Sequence, residues 1–180
     1  IDTTGNSAAT AGTVALTSAT LGLTADSSII TDAATTDQAI TLPASVTDGG
    51  TNPSLTLDSG SANITLNAVG ASDNAIGSLT VSEGATVAFA GNVEASSVEV
   101  TKSTTITLSN GVSIDTNSGN LFLAADTITD SGVTLVSTGG SSGIATFKGS
   151  ADTTSIGLGT GAGDLSPVSY THLRAHETSL

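Results

Sequence analysis

A single short rhythm dominates this chain. Triplets of the form apolar–small–apolar recur along it: Val14-Ala15-Leu16, Leu21-Gly22-Leu23, Ile40-Thr41-Leu42, Leu55-Thr56-Leu57, Ile64-Thr65-Leu66, Leu79-Thr80-Val81, Val87-Ala88-Phe89, Val98-Glu99-Val100, Ile106-Thr107-Leu108, Leu121-Phe122-Leu123, Val133-Thr134-Leu135 and Ile156-Gly157-Leu158. Successive side chains of a strand point to opposite faces, so each triplet turns two aliphatics inward and one residue outward. Glu99 pins the register of its strand, because a slip of one residue would bury a carboxylate and expose two valines. Helical periodicity is nearly absent. Even the unbroken apolar run Leu121–Ala125 is short and bounded by Gly119-Asn120 and Asp130-Ser131-Gly132, which favours a strand.

The triplets are spaced. Leu79 to Val98 and Val87 to Ile106 are each 19 residues, and Leu121 to Ile144 and Val133 to Ile156 are each 23. The first third is less even: Leu21 to Ile40 is 19 residues, but Leu55 to Leu79 is 24. Gly49-Gly50, Gly91-Asn92, Asn110-Gly111, Ser118-Gly119-Asn120 and Gly139-Gly140 read as corners, as do Pro43 and Pro53. Repetition at this period signals a solenoid, whose coils cannot bury a face alone and so stack. The expected fold is all-β, a right-handed parallel β-helix; periodicity alone leaves an up-and-down sandwich open, and the scarcity of two-residue hairpin turns favours the coil. Its expected parts are a less regular β-repeat region over 1–76, regular coils over 77–167 and a non-native tail over 168–180.

Composition fits a narrow tube. Of 180 residues, 58 are Thr or Ser, 42 are Leu, Ile, Val or Phe, and none is Cys, Met or Trp. A disulfide scaffold and a thiolate metal site are excluded. The net charge of −13 disfavours nucleic acid as a partner. No apolar run approaches the roughly 18 residues of a membrane span. The absence of methionine leads us to expect an interior fragment of a longer reading frame.

Residues 168–178, Val-Ser-Tyr-Thr-His-Leu-Arg-Ala-His-Glu-Thr, hold all the His, Arg and Tyr of the chain. All eleven resemble the conceptual translation of a transposase-based sequencing adapter, so this tail is expected to be foreign to the protein. His172 and His176 with Glu177 have the one-turn spacing of a helical metal site, but they fall inside that tail and lack the HExxH order.

Without that tail the chain has no His, Cys, Arg or Tyr, and nucleophilic machinery built on histidine is impossible. Lys102 beside Ser103 would point the opposite way along a strand. Asp115, Asp126 and Asp130 are the acids to consider for carboxylate-pair hydrolysis, as in a β-helical carbohydrate-active enzyme, or for calcium. Asp115 to Asp126 has the opening spacing of an acidic Ca²⁺ loop, but Gly119 and Asn120 occupy the wrong slots, and Gly159–Asp164 misses a Ca²⁺-binding nonapeptide by one residue. Asn63-Ile64-Thr65 matches a glycosylation sequon inside a strand. No catalytic, cofactor-binding or metal site is assigned, and no cofactor is expected.

The run Gly77-Ser78-Leu79-Thr80-Val81, then Gly91-Asn92-Val93 and Ser97-Val98-Glu99-Val100, together with Thr153–Leu165, resembles the filamentous haemagglutinin-type exoproteins of bacteria and the passenger shafts of autotransporter adhesins. The resemblance covers about half the chain, Gly77 to Ser166. It implies a structural shaft of a secreted or cell-surface protein, associated with the outer membrane and not itself a membrane span. Its implied partners are host or neighbouring-cell glycans and proteins, and further β-helical repeats of the same chain. The competing expectation is a carbohydrate-active enzyme or carbohydrate-binding module on the same fold.

Overall fold

A computed structural model describes residues 1–4, 10–71, 73–132, 134–136 and 143–151. In chain order the strands are β1 (Val14–Ala15), β2 (Thr20–Leu23), β3 (Ser27–Ile30), β4 (Ile40–Thr41), β5 (Ser45–Asp48), β6 (Leu55–Asp58), β7 (Ile64–Leu66), β8 (Ala68–Val69), β9 (Ile76–Phe89), β10 (Val93–Val100), β11 (Ser103–Leu108), β12 (Ser113–Asp115), β13 (Leu121–Ala124), β14 (Thr127–Asp130), β15 (Thr134–Val136) and β16 (Ala145–Lys148). Every pairing between them is parallel, and there is no helix among the described residues.

The pairings sort the strands into three faces visited in rotation. The first face stacks β1, β4, β7, the second half of β9, β11 and β14. The second stacks β2, β5, β8, the start of β10, β12 and β15. The third stacks β3, β6, the first half of β9, the rest of β10, β13 and β16. The chain is thus a parallel β-solenoid. From Ser27 to Ala145 it makes five turns, a climb of about 24 Å at the usual strand spacing.

The alternating triplets place the core. On the third face Leu55, Leu79, Val98 and Leu121 are direct neighbours in register, and Leu57, Val81, Val100 and Leu123 form a second column. On the first face Ile40, Ile64, Val87 and Ile106 stack, beside Leu66, Phe89 and Leu108. The second face contributes Val46, Val69, Val93 and Ile114. All of these are buried. The intervening Thr41, Thr65, Thr80 and Thr107 are half-buried and Glu99 is exposed, as the alternation requires. The 19-residue spacings mark true neighbours, Leu79 opposite Val98 and Val87 opposite Ile106.

Two spacings are corrected. Leu121 lies opposite Ala145, one residue beyond Ile144, and Ile144 is 63% exposed. Leu21 lies opposite Val46, not Ile40, which itself pairs with Ile64. The early coils are longer because their corners are larger. The segment from Thr31 to Ala39 alone separates β3 from β4, and Asp37 ties it down by accepting from the backbone of Ala33 and Ser61. Val133, the side chains of Thr134–Val136, the expected corner Gly139-Gly140 and residues 152–180 (including Ile156–Leu158, Gly159–Asp164, His172, His176 and Glu177) lie outside what is described.

Buried hydroxyls close the corners. Ser59 Oγ donates to Ala62 O (2.9 Å), Ser103 Oγ to Ala124 O (2.9 Å) and Thr116 Oγ1 to Gly119 O (2.8 Å). Each engages a carbonyl at a corner, and that of Ala62 also accepts from Ala85 N at 2.7 Å. This is one use of the Ser/Thr content: small polar residues turn a narrow tube without leaving polar groups unpaired inside it.

Stacking of near-equivalent coils predicts tolerance to the loss of a whole one. Ser78 and Ser97 are register partners, so deleting residues 79–97 joins Ser78 to Val98 at an equivalent point of the third face. We expect that variant to keep a β-type circular dichroism spectrum and a cooperative thermal transition. Deleting 79–88 instead joins the third face to Phe89 on the first, and this variant is expected to show neither.

Candidate functional site

The acids considered for hydrolysis or calcium are spread around the tube. Asp115 sits on β12 in the second face, Asp126 at the corner before β14, and Asp130 at the far end of β14 in the first face. Asp115 Oδ1 accepts from Asn117 N (2.8 Å) and Asp130 Oδ1 from Gly132 N (2.8 Å) within their own corners, whereas Asp126 accepts from Ser150 Oγ one coil away. The first two are side-chain turns that stabilise corners. Asp115 and Asp126 do not form one loop around an ion, and no group of three or more His, Cys, Asp or Glu among the described residues is placed to hold a metal. Lys102 and Ser103 diverge as strand geometry requires. Lys102 Nζ reaches Glu83 at 2.5 Å in the open, whereas Ser103 is buried on Ala124.

Two acidic groupings are brought together by folding and were not visible in the sequence. The first lies where the third face turns into the first. There Asp58 and Glu83 are register partners, Asp32 and Asp37 flank Gly60, and Lys102 bridges Glu83. Asp37 accepts from Ala33 N, Ser61 N and Ser61 Oγ, each at 2.7 Å, and these bonds hold its carboxyl at about 2. Its contribution to stability is present above the ordinary 3.8 and is lost as pH falls towards 2. Asp32 is displaced upward, first by burial and then by the charges of Asp58 and Asp37.

The second grouping is on the second face, where Glu94 lies opposite Asp115 with Asp73 nearby. Glu94 Oε2 is buried without a hydrogen-bond partner. Burial, then Asp115, then Asp73 push its carboxyl above the ordinary 4.5. A raised carboxyl favours the fold below its unfolded pKa, and that advantage is lost as pH rises through the folded value. Glu94→Gln is therefore expected to raise the thermal midpoint at pH well above 4.5 and to leave it unchanged well below. Differential scanning fluorimetry across pH reads both arms; an equal gain at all pH would contradict the electrostatic cause.

Two neutral surfaces complete the exterior. On the first face Thr41, Thr65, Ala88, Thr107 and Thr129 form one outward column, with Thr86, Thr105 and Thr127 beside it. No charged side chain stands within either column. Where the first face meets the second, an open groove of about 570 Å³ runs along the axis across four coils, lined by Leu16, Thr41, Pro43, Asn67 and Gly91 among others. Asn67 Nδ2 is committed to Leu42 O at 2.7 Å. Neither surface brings titratable groups into mutual reach, which bond-making chemistry of the acid–base kind requires.

No helix among the described residues is long and apolar enough to cross a membrane. No family model, no curated protein and no solved structure matches the chain.

Proposed function

We propose that this chain is a structural shaft: a segment of a secreted or cell-surface bacterial exoprotein of the adhesin type, with no catalytic role. The observation that carries the reading is the parallel stacking of three faces through five turns, with Asp115, Asp126 and Asp130 spread over different corners and faces. A parallel stack of this kind transmits length. Each added coil extends the rod by about 4.8 Å, so the number of coils sets how far a binding tip stands from its anchor. The cadence of Gly/Asn corners and Thr-rich strands from Gly77 onward, similar to filamentous haemagglutinin-type and autotransporter shafts, supports the same role, with an extracellular, outer-membrane-associated setting.

In this reading the neighbours of the chain along the axis are further β-helical repeats. The neutral hydroxyl columns of the first face supply weak contacts to surface glycans or proteins, effective only when many act together. The dispersal of Asp115, Asp126 and Asp130 weighs against the carbohydrate-cleaving alternative, which needs two carboxyls flanking one bond.

The test is twofold. The purified chain should resist limited proteolysis as one unit across the coils from β4 to β13, and it should release no reducing ends or unsaturated products from a panel of bacterial and plant polysaccharides. Cleavage at many points within those coils would refute the rod. Product release that is lost in Asp115→Asn or Asp126→Asn would refute the passive role.

A further inference from the structure

We propose that Asn110–Gly111 is a site of spontaneous covalent modification, at which the backbone nitrogen of Gly111 displaces the side-chain amide of Asn110. The step is balanced by water. Hydroxide removes the Gly111 amide proton, the nitrogen bonds to Asn110 Cγ, the Cγ–Nδ2 bond breaks and ammonia leaves, giving a five-membered succinimide. Water then opens either carbon–nitrogen bond of that ring, leaving aspartate or its isoaspartyl isomer.

The structure separates this asparagine from Asn52, Asn63, Asn67, Asn74, Asn92 and Asn120. Asn110 and Gly111 form the exposed corner between β11 and β12. Gly111 has φ +76°, and a Cβ built on it would meet nothing within 4 Å, so the glycine side of the turn is open. Among the described residues no hydrogen bond holds the Asn110 carboxamide. By contrast, Asn67 donates to Leu42 O (2.7 Å), Asn74 donates to Asp48 O (3.2 Å), Asn92 accepts from Ser113 N (2.9 Å) and Asn120 accepts from Ile144 N (3.1 Å). Asn52 precedes Pro53, whose nitrogen carries no proton to lose, and Asn63 precedes the β-branched, buried Ile64. The analogous Asp48–Gly49 step is closed off. Asp48 is buried, its Oδ1 accepts from Gly50 N (2.7 Å) and Thr51 N (3.0 Å), and Gly49 N is tied to Leu23 O at 2.7 Å. At Asn110 the bond that must open is the 3.2 Å donation from Gly111 N to Gly132 O.

The product has consequences for the stack. A carboxylate at position 110 stands against Gly132, two residues from Asp130, and adds to an already acidic rod. The isoaspartyl form also lengthens the backbone by one carbon at the turn that delivers Val112 and Ile114 to the core.

The test is incubation of the folded chain in warm, mildly alkaline buffer, with peptide mapping by mass spectrometry and an isoaspartate-specific assay. Amide loss at Asn110 should exceed that at any other asparagine on the order of tenfold, a barrier difference of about 1.4 kcal/mol. Asn110→Ser should abolish the isoaspartate signal from this peptide while leaving the thermal midpoint of fresh protein in place. Equal or faster loss at Asn63, Asn67 or Asn117, or an intact Asn110 after the other sites have reacted, would overturn the proposal.

Discussion

Phe89→Ala is expected to destabilise the chain by about 3–5 kcal/mol, the range for deleting a buried aromatic ring. Phe89 is the largest fully buried side chain among the described residues, and its ring stands between Leu66 on the coil before and Leu108 on the coil after. A solenoid has no second layer that can move in to fill the space, because each coil touches only its neighbours. The loss should therefore appear as a large drop in the urea midpoint. Phe122→Ala is the control. It replaces the same residue type at an outward, half-buried position between Glu99 and Thr146, and it should cost far less. Equal losses at the two positions would mean that Phe89 does not face the interior.

Gly70→Ala is expected to be at least as damaging, for a different reason. Gly70 has φ +73°, and a Cβ there would lie 2.0 Å from the carbonyl oxygen of Glu94, a backbone atom of the next coil. Real Cβ atoms do not approach that closely, so the coils must separate at this corner. Gly111→Ala isolates the conformational part of the effect. Its φ of +76° is nearly the same, but the space around it is open, so the expected loss is about 1–2 kcal/mol from the left-handed backbone alone. Chemical denaturation of the two variants side by side gives the difference. A Gly70→Ala loss no greater than that of Gly111→Ala would show that the coils are not packed as closely there as described.

These two residues show what the sequence can and cannot disclose. Phe89 was legible. It closes an apolar–small–apolar triplet, and the 19-residue step from Val87 to Ile106 identified the coil that packs on it. The third face was legible for the same reason, with two inward aliphatics per strand in Leu55/Leu57, Leu79/Val81 and Val98/Val100. The second face was not. After β2, its strands β5, β8, the start of β10 and β12 bring in a single aliphatic each, Val46, Val69, Val93 or Ile114, and one inward residue cannot show alternation. The long strand β9 also hid a change of face. The register shifts between Leu57 and Asp58 where Asp58 meets Glu83, and Gly84, buried at the bend, lets one continuous strand serve two faces.

Gly70 and the acidic groupings were illegible in another way, because they depend on which coils become neighbours. Asp32 and Glu83 are far apart in the chain and share a corner only through the intervening Asp58. Glu94 meets Asp115 only because β10 and β12 stack. In the first coils, where corner lengths vary most, even the neighbour of a correctly placed strand was obscured, as Leu21 and Val46 show. Period detects a solenoid where the corners are uniform; where corners swell, only the pairing itself reveals the register.

The most direct test of parallel, in-register stacking is a disulfide between Ser78→Cys and Ser97→Cys. The chain has no cysteine of its own, so the pair reports alone. The two positions are Cα partners on adjacent parallel strands, and their hydroxyls already meet at 2.9 Å, a separation a disulfide can span without moving the backbone. The expected result is near-complete intramolecular cross-linking under mild oxidation, with a higher unfolding midpoint than the reduced form. Failure to cross-link in a folded, monomeric double variant, with efficient cross-linking between Ser78→Cys and a residue on a strand running the opposite way, would contradict the parallel stack and the shaft built on it.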